Sequence, residues 1–383
     1  MSYQKRAAMC IAQGACTYSK NPNQFMLPKN ISHADFWYSG VLHIDKHKVA
    51  DFSGGLGANF LNANSGVGSL PFKEEVILAE MIKDRFPCIE KLKFLKTGSD
   101  ACSAAVRIAR AFTSKKWIIG SGYHGWHDWA ISNENPGAGT LKHFQHYGKR
   151  SGLAEVVAHV TQTADTDIAA VIVEPVQLDI DVKSLLIQLR HICTEKEIIL
   201  IFDETITGLR FPKYCVANHF NIQPDLIILG KALGGGHPLA VVGGRADLMD
   251  NPNYFVSSTF AGDQYALKSA IENLGAATEE NIKVLWDRGL RFLSRFNALS
   301  NKVFIKGYPT RGELQGDDKS KALFMQEMWE RGYLFGRAFF LSFYHTEAIL
   351  EKTLKDAKEV FAKIKAGKVR LKGKMPKILF KRN

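Results

Sequence analysis

Cysteine is scarce. Six thiols, Cys10, Cys16, Cys88, Cys102, Cys193 and Cys215, are scattered through 383 residues. They form no CxxC pair and no His/Cys cluster at ligand spacing, so neither a disulfide framework nor a metal centre is expected. In a chain of this length they read as reduced thiols of a cytoplasmic protein. Long hydrophobic runs are missing too. No apolar stretch approaches the ~20 residues that span a bilayer. The segment Met1 to Cys10 has no apolar core of the length that a secretory signal needs. A membrane partner is therefore not expected. Acid is missing at the C-terminus, where Lys368 to Asn383 holds seven Lys/Arg residues and no carboxylate. That run accounts for much of the net charge of +12. It is not accompanied by an RNP-like aromatic strand, zinc-finger spacing or a basic helix with a zipper. A solvated tail is the simpler reading, and nucleic acid is the weaker one.

Hydrophobic residues, by contrast, make up 46% of the chain, enough for a large core divided among two or three structural units. An ordinary charged fraction of 23% marks a folded protein. Phe36 to Asp45 carries a Ser-Gly turn between two apolar pieces, a hairpin signal. Gly54 to Gly68 is a loop rich in Gly and Asn, and Phe72 to Arg85 has helical spacing. Lys93 to Arg110 reads as a short strand, a Thr97-Gly98-Ser99 turn and an alanine-rich helix. The first N–H groups of a helix lack internal partners and carry the positive end of its dipole. Ser99 is thus either an N-cap or a ligand for an anion. Trp117 to Ser121 is a strand, followed by an aromatic and histidine cluster from Tyr123 to Asp128. Asn133 to Gly139 reads as loop.

From Ile168 strands and helices alternate. Ile168 to Val173 is continuously apolar and ends at Glu174, Glu197 to Phe202 ends at Asp203-Glu204, and Asp225 to Leu229 ends at Gly230-Lys231. Val182 to Lys196 between the first two is an amphipathic helix. Runs apolar on both faces and separated by helices indicate a mostly parallel sheet covered by helices. Ligands of such sheets sit beyond the carboxyl ends of the strands. Glu174, Asp203 and Lys231 all fall there. Lys231 is either a solvated lysine at a strand end or a partly desolvated amine able to form a Schiff base. Asn281 to Leu299 reads as a long helix leaving the sheet domain. Beyond it, strands around Val303–Ile305 and Leu334–Phe343 and helices at Lys319–Arg331 and Thr346–Lys365 suggest a small α+β unit.

Phe202-Asp203-Glu204 with Thr207-Gly208, then Asp225 to Lys231 with Gly234-Gly235, resembles the signature of class III pyridoxal-phosphate aminotransferases. Thr97 to Ala101, Tyr123-His124-Gly125, Glu174-Pro175 and Ser258-Thr259-Phe260 follow the family's order. Within the family, Gly234 to Gly244 and Ser258 to Gly262 are most similar to glutamate-1-semialdehyde aminomutase and its aminotransferase relatives. The resemblance implies the α/β fold type I of pyridoxal 5'-phosphate-dependent transferases. Its expected divisions are residues 1–55 as an N-terminal part of the small domain, 56–280 as the large cofactor-binding domain, 281–366 as the C-terminal small domain, and 367–383 as the basic tail. It also implies a homodimer with active sites at the subunit interface. The implied reaction moves an amino group from a small-molecule donor to a carbonyl acceptor by a ping-pong Schiff-base mechanism. A 2,1-aminomutase is the alternative, a racemase or decarboxylase is third, and a basic scaffold that binds nucleic acid is the non-enzymatic rival.

The roles that the resemblance implies are specific. Lys231 is the catalytic lysine and holds the cofactor. Asp203 pairs with the ring nitrogen, and Tyr123 stacks on one ring face. Thr205 lies against the other face, where the family often has valine. Gly98 and Ser99 bind the phosphate, Thr259 reaches it from the partner subunit, and Glu174 supports the site by hydrogen bonding. Two departures stand out. Gln177-Leu178-Asp179 replaces a glycine and small polar residue, and Gly14 to Lys20 offers Lys20 where the aminomutase has a carboxylate-gripping arginine.

Overall fold

Continuous apolar runs become strands that are buried at every position. Ile168–Val173, Ile199–Asp203, Leu226–Leu229 and Ala240–Gly244 have no exposed residue. The computed structural model describes residues 1–29, 31–60, 66–131, 139–140, 146–147, 152–176, 178, 181–373 and 375. Of the departures read in the sequence, Gln177 and Asp179 lie outside the described residues, as do most of the 133–139 loop and most of the basic tail.

Three antiparallel strands come first: β1 (Phe36–Tyr38), β2 (Val41–Ile44) and β3 (His47–Ala50). The expected hairpin is β1–β2, closing Tyr38 on Val41. Its turn residues Ser39 and Gly40 both have positive φ, 49° and 80°, which suits the twist of a two-residue hairpin.

The central sheet holds β4 (Lys91–Leu95), β5 (Trp117–Ser121), β6 (His146–Tyr147), β7 (Ile168–Val173), β8 (Ile199–Asp203), β9 (Leu226–Leu229) and β10 (Ala240–Gly244). Their order is β4-β10-β9-β8-β7-β5-β6. β10 is antiparallel to β4 and β9, and the remaining pairs are parallel. The sequence pattern did not single out β10, because Gly243 and Gly244 break its apolar run. Their bareness is needed for packing. A Cβ at Gly243 would lie 2.9 Å from Ile89, and one at Gly244 would lie 2.2 Å from the Asp225 carbonyl oxygen.

Helices α1 (Tyr3–Cys10), α2 (Lys73–Arg85) and α3 (Gly98–Thr113) precede or flank the first sheet strands. On α3, Ala101, Ala104, Ala105, Ile108 and Ala109 share a core with Ala170, Ile172, Ile201, Ile228 and Val242. Small side chains let this helix lie close to the sheet. Thr97, not Ser99, is its N-cap. The Thr97 hydroxyl accepts from the Asp100 N–H at 3.2 Å, and Asp100 accepts from the Thr97 N–H at 3.0 Å.

The chain forms two units. The larger comprises residues 1–175, 183–209 and 213–278, and the smaller comprises 176–182, 210–212 and 279–383. Residues 1–55, grouped by sequence with the small domain, cluster with the larger unit instead. The reason is local: Ile11 bridges Leu92 of β4, and Gln13 N–H donates to Asp250 at 3.0 Å. The smaller unit contains the antiparallel sheet β11 (Val303–Tyr308), β12 (Arg311–Gly316) and β13 (Ala338–Phe340). Its helices Glu279–Asn297, Asp318–Trp329 and Glu347–Lys365 enclose Phe296, Phe324 and Phe361. The middle strand β12 escaped the pattern because it buries Arg311 and Glu313, the latter paired with Arg337 at 2.8 Å.

Candidate active site

β5, β7, β8 and β9 deliver their carboxyl ends to one edge of the sheet. There a cavity of about 260 Å³ is lined by Gly98, Ser99, Tyr123, Glu174, Asp203, Thr205 and Lys231, together with Lys96, Cys102, His124 and His237. Of the residues implied by the resemblance, only Thr259 lies outside it. A larger groove of about 740 Å³ opens at the opposite strand ends, beside Ile199 and Asp225. Of its cations, Arg190 and Arg245 are paired with Asp225 at 2.8 and 3.0 Å and Lys115 donates to the Glu197 carbonyl at 3.3 Å, so it gathers no comparable chemistry.

Asp203 ends β8 and is buried. One carboxylate oxygen accepts from His124 Nδ1 at 2.9 Å and from the Cys102 thiol at 3.3 Å. The other accepts from the Thr205 N–H at 3.1 Å. Burial works against the charge, but His124 and Thr205, through its side chain and its N–H, outweigh it and hold the carboxyl below its usual range. The second nitrogen of His124 faces the Ser121 carbonyl at 3.1 Å, which fixes the ring between two acceptors. Atoms of Cys102, His124 and Asp203 that could bind a metal lie within 4.8 Å of one another. They are engaged in these mutual hydrogen bonds.

Two glycines shape the turn after β5. Gly122 has φ +112°, and Gly125 has φ +96°. A Cβ on Gly122 would lie 2.6 Å from Glu174 Oε2, and one on Gly125 would lie 2.4 Å from Ser99 Oγ. Buried Glu174 accepts the Tyr123 N–H at 3.1 Å, so it holds the turn that presents the Tyr123 ring. His127 takes no part, since its Nδ1 meets Ser103 Oγ on α3 at 2.7 Å.

Lys231 follows Gly230 and opens a short 3-10 turn, Lys231–Gly234, with φ +42°. Non-glycine residues adopt this left-handed conformation rarely, and strain of that kind gathers at functional sites. Lys231 lines the cavity and is exposed. Thr205 packs under Gly98, where a Cβ would lie 3.0 Å from Thr205 Cγ2. Glu204, next to Asp203, is structural: it accepts the Val216 and Ala217 N–H groups at 2.8 Å each and starts the helix Val216–Phe220.

Sequence reasoning missed the partnership of His124 and Cys102 with Asp203. The Tyr-His-Gly triplet at the end of β5 was the only signal for His124, and it could not name a partner 79 positions away.

The aminotransferase class-III family model matches residues 65–336. The glutamate-1-semialdehyde 2,1-aminomutase of Methanothermobacter thermautotrophicus is 30% identical over 345 residues, 77% of this chain and 80% of that protein. The enzyme of the same name from Nitrosopumilus maritimus is 32% identical over 299 residues, 68% of each. In fold the chain is similar to the FumI protein of Sphingopyxis, with a TM-score of 0.71, 21% identity and coverage of 96% of this chain and 97% of that one. A β-phenylalanine aminotransferase from Variovorax paradoxus gives a TM-score of 0.66 at 22% identity, covering 95% and 97%.

Proposed function

The chain belongs to the class-III aminotransferase family, and on that premise we propose that it is a pyridoxal 5'-phosphate-dependent transaminase acting between a small amino donor and a carbonyl acceptor. The observation that carries the reading is the convergence of Lys231, buried anionic Asp203 and the N-terminus of α3 on one cavity. The donor set suits the cofactor. A carboxylate held ionised matches a protonated ring nitrogen, and uncovered helix N–H groups match a phosphate. The cavity of about 260 Å³ beside Tyr123 and Thr205 offers space for a planar ring.

When bound, pyridoxal phosphate supplies an electron-accepting ring that stabilises negative charge at the amino-bearing carbon. The chain's residues do the rest. Lys231 Nζ holds the cofactor and moves the proton at that carbon. Asp203, oriented by His124, keeps the ring nitrogen protonated. Gly98 and Ser99 would hold the phosphate, Tyr123 and Thr205 would flank the ring, and Glu174 secures the Tyr123 backbone.

The working unit is a homodimer in which Thr259 serves the partner's phosphate. One feature supports this: Thr259 does not line its own chain's cavity. No helix among the described residues is long and apolar enough to cross a membrane. The cytoplasm is the proposed location.

The second reading is a 2,1-aminomutase, favoured by the two relatives of that name. Against it, Lys20, the cation of the N-terminal stretch, donates to the Thr259 carbonyl at 2.7 Å and does not line the cavity. The test is the visible absorption spectrum of wild type and Lys231→Ala with a panel of amino donors. A cofactor band that shifts with a donor and is restored by a separate carbonyl acceptor is expected, with no such cycle in Lys231→Ala. Isomerisation of one substrate without an acceptor would establish the aminomutase, and a wild type that takes up no cofactor would sink both readings.

A further inference from the structure

We propose that Lys20 is a positioning residue for cofactor binding: through the Thr259 carbonyl it holds the Ser257–Thr259 loop in the place from which a partner subunit's phosphate site can use it. The inference rests on the transaminase reading and names a residue that reading does not need.

A single turn of chain grips three successive loop residues. Tyr18 N–H donates to Ser257 Oγ at 3.2 Å, Thr17 Oγ1 donates to the Ser258 carbonyl at 2.6 Å, and Lys20 Nζ donates to the Thr259 carbonyl at 2.7 Å. The turn is itself fastened to the sheet edge. Fully buried Lys93 of β4 donates to the Ala15 carbonyl at 2.9 Å and lies 4.4 Å from the Tyr18 ring centre. The Phe94 N–H meets Cys16 Sγ at 3.3 Å. β4 then runs into Thr97, Gly98 and Ser99. Both segments assigned to the phosphate, one for each subunit's site, are therefore referenced to the same strap.

Lys20 is only 4% exposed. Burying an ammonium is costly, and an apolar chain of similar length would fill the space without that cost. The charge is therefore suited to a directed bond rather than to packing. The groups facing it are Glu75 on α2, Asp51 after β3, and Asp263 at the start of the helix Gln264–Ala276. Asp263 is shared with Lys96 at 3.3 Å, and buried Cys16 and Lys93 lie behind Glu75. Burial pushes the Lys20 ammonium down to about 8 and the Glu75 carboxyl up to about 7. A neutral amine donates a weaker hydrogen bond than an ammonium. The hold on Thr259 should therefore slacken as pH rises through about 8.

The experiment is a titration of apo-protein with pyridoxal phosphate, read by its absorption band, below and above pH about 8, for wild type, Lys20→Met and Thr17→Val. Thermal midpoints of the apo-proteins report folding. The expected result is a dissociation constant raised roughly tenfold in Lys20→Met and a few-fold in Thr17→Val. The rise across pH about 8 should be present in wild type and absent from Lys20→Met. A wild-type dissociation constant in folded Lys20→Met overturns the inference. If that chain does not fold, an unchanged constant in Thr17→Val overturns it. A wild type that binds no cofactor fails the transaminase reading itself, so the two failures are distinguishable.

Discussion

At the residue scale, Asp203 shows how a single charge is kept useful in a dry place. Removing its charge while keeping its shape, as in Asp203→Asn, should leave the fold intact but exchange an anion for a neutral amide at the position proposed to face the ring nitrogen. The expected loss in turnover is roughly 10²–10³-fold, the scale of a preorganised electrostatic contact. The cofactor should still bind through Lys231, the helix start and Thr259. Steady-state rates together with the absorption band check this, and an Asn variant with wild-type turnover would remove Asp203 from the mechanism. Asp203 and Lys231 were legible in the sequence because each ends an apolar strand, where an ionisable group needs a reason. The role of Thr97 was open to reading, but Ser99 reads as either the cap or an anion ligand, since both carry a hydroxyl near the helix start. The acid three positions on, Asp100, identifies the cap. The partners of Asp203 were not legible, because β5, α3 and β8 bring them together only in the folded sheet.

At the scale of elements, continuous apolar strands and the Ser39-Gly40 hairpin could be read directly, whereas β10 and β12 could not. The first is interrupted by glycines and the second by buried charges, and both are held by neighbours distant in sequence. The turn after β5 lies between these extremes. Its glycines are visible in the sequence, but their purpose is visible only in three dimensions. Gly125→Ala tests that purpose. The new methyl would be forced into φ +96° and would sit 2.4 Å from Ser99 Oγ and 2.7 Å from Ser99 Cα. Backbone cannot yield as a flexible side-chain tip can, so the start of α3 should shift. The strain is on the order of 1–3 kcal/mol, and it should appear as a lowered thermal midpoint and a roughly tenfold or larger loss of affinity for pyridoxal phosphate. Unchanged affinity would show that Ser99 does not hold the phosphate.

At the scale of the whole molecule, the proposed homodimer sets Thr259 to work outside its own chain. Thr259 does not line the cavity that gathers the other candidate residues. A sequence cannot say whether a residue serves its own subunit or its neighbour, and the grouping of residues 1–55 with the larger unit was equally hidden, since it depends on the strap's contacts along β4. Complementation between two damaged chains decides the first question. In a dimer of Lys231→Ala with Thr259→Ala, trans action of Thr259 makes one site wholly wild type and leaves the other with both defects. Cis action gives each site one defect and no site is repaired. Random pairing of the two chains should then leave about a quarter of the sites intact in the trans arrangement. Transamination at limiting cofactor should rise above the mean of the two variants measured alone. A mixture no more active than that mean, with mixed dimers demonstrated by mass, would return Thr259 to its own chain and remove the reason for Lys20 to hold it at a subunit boundary.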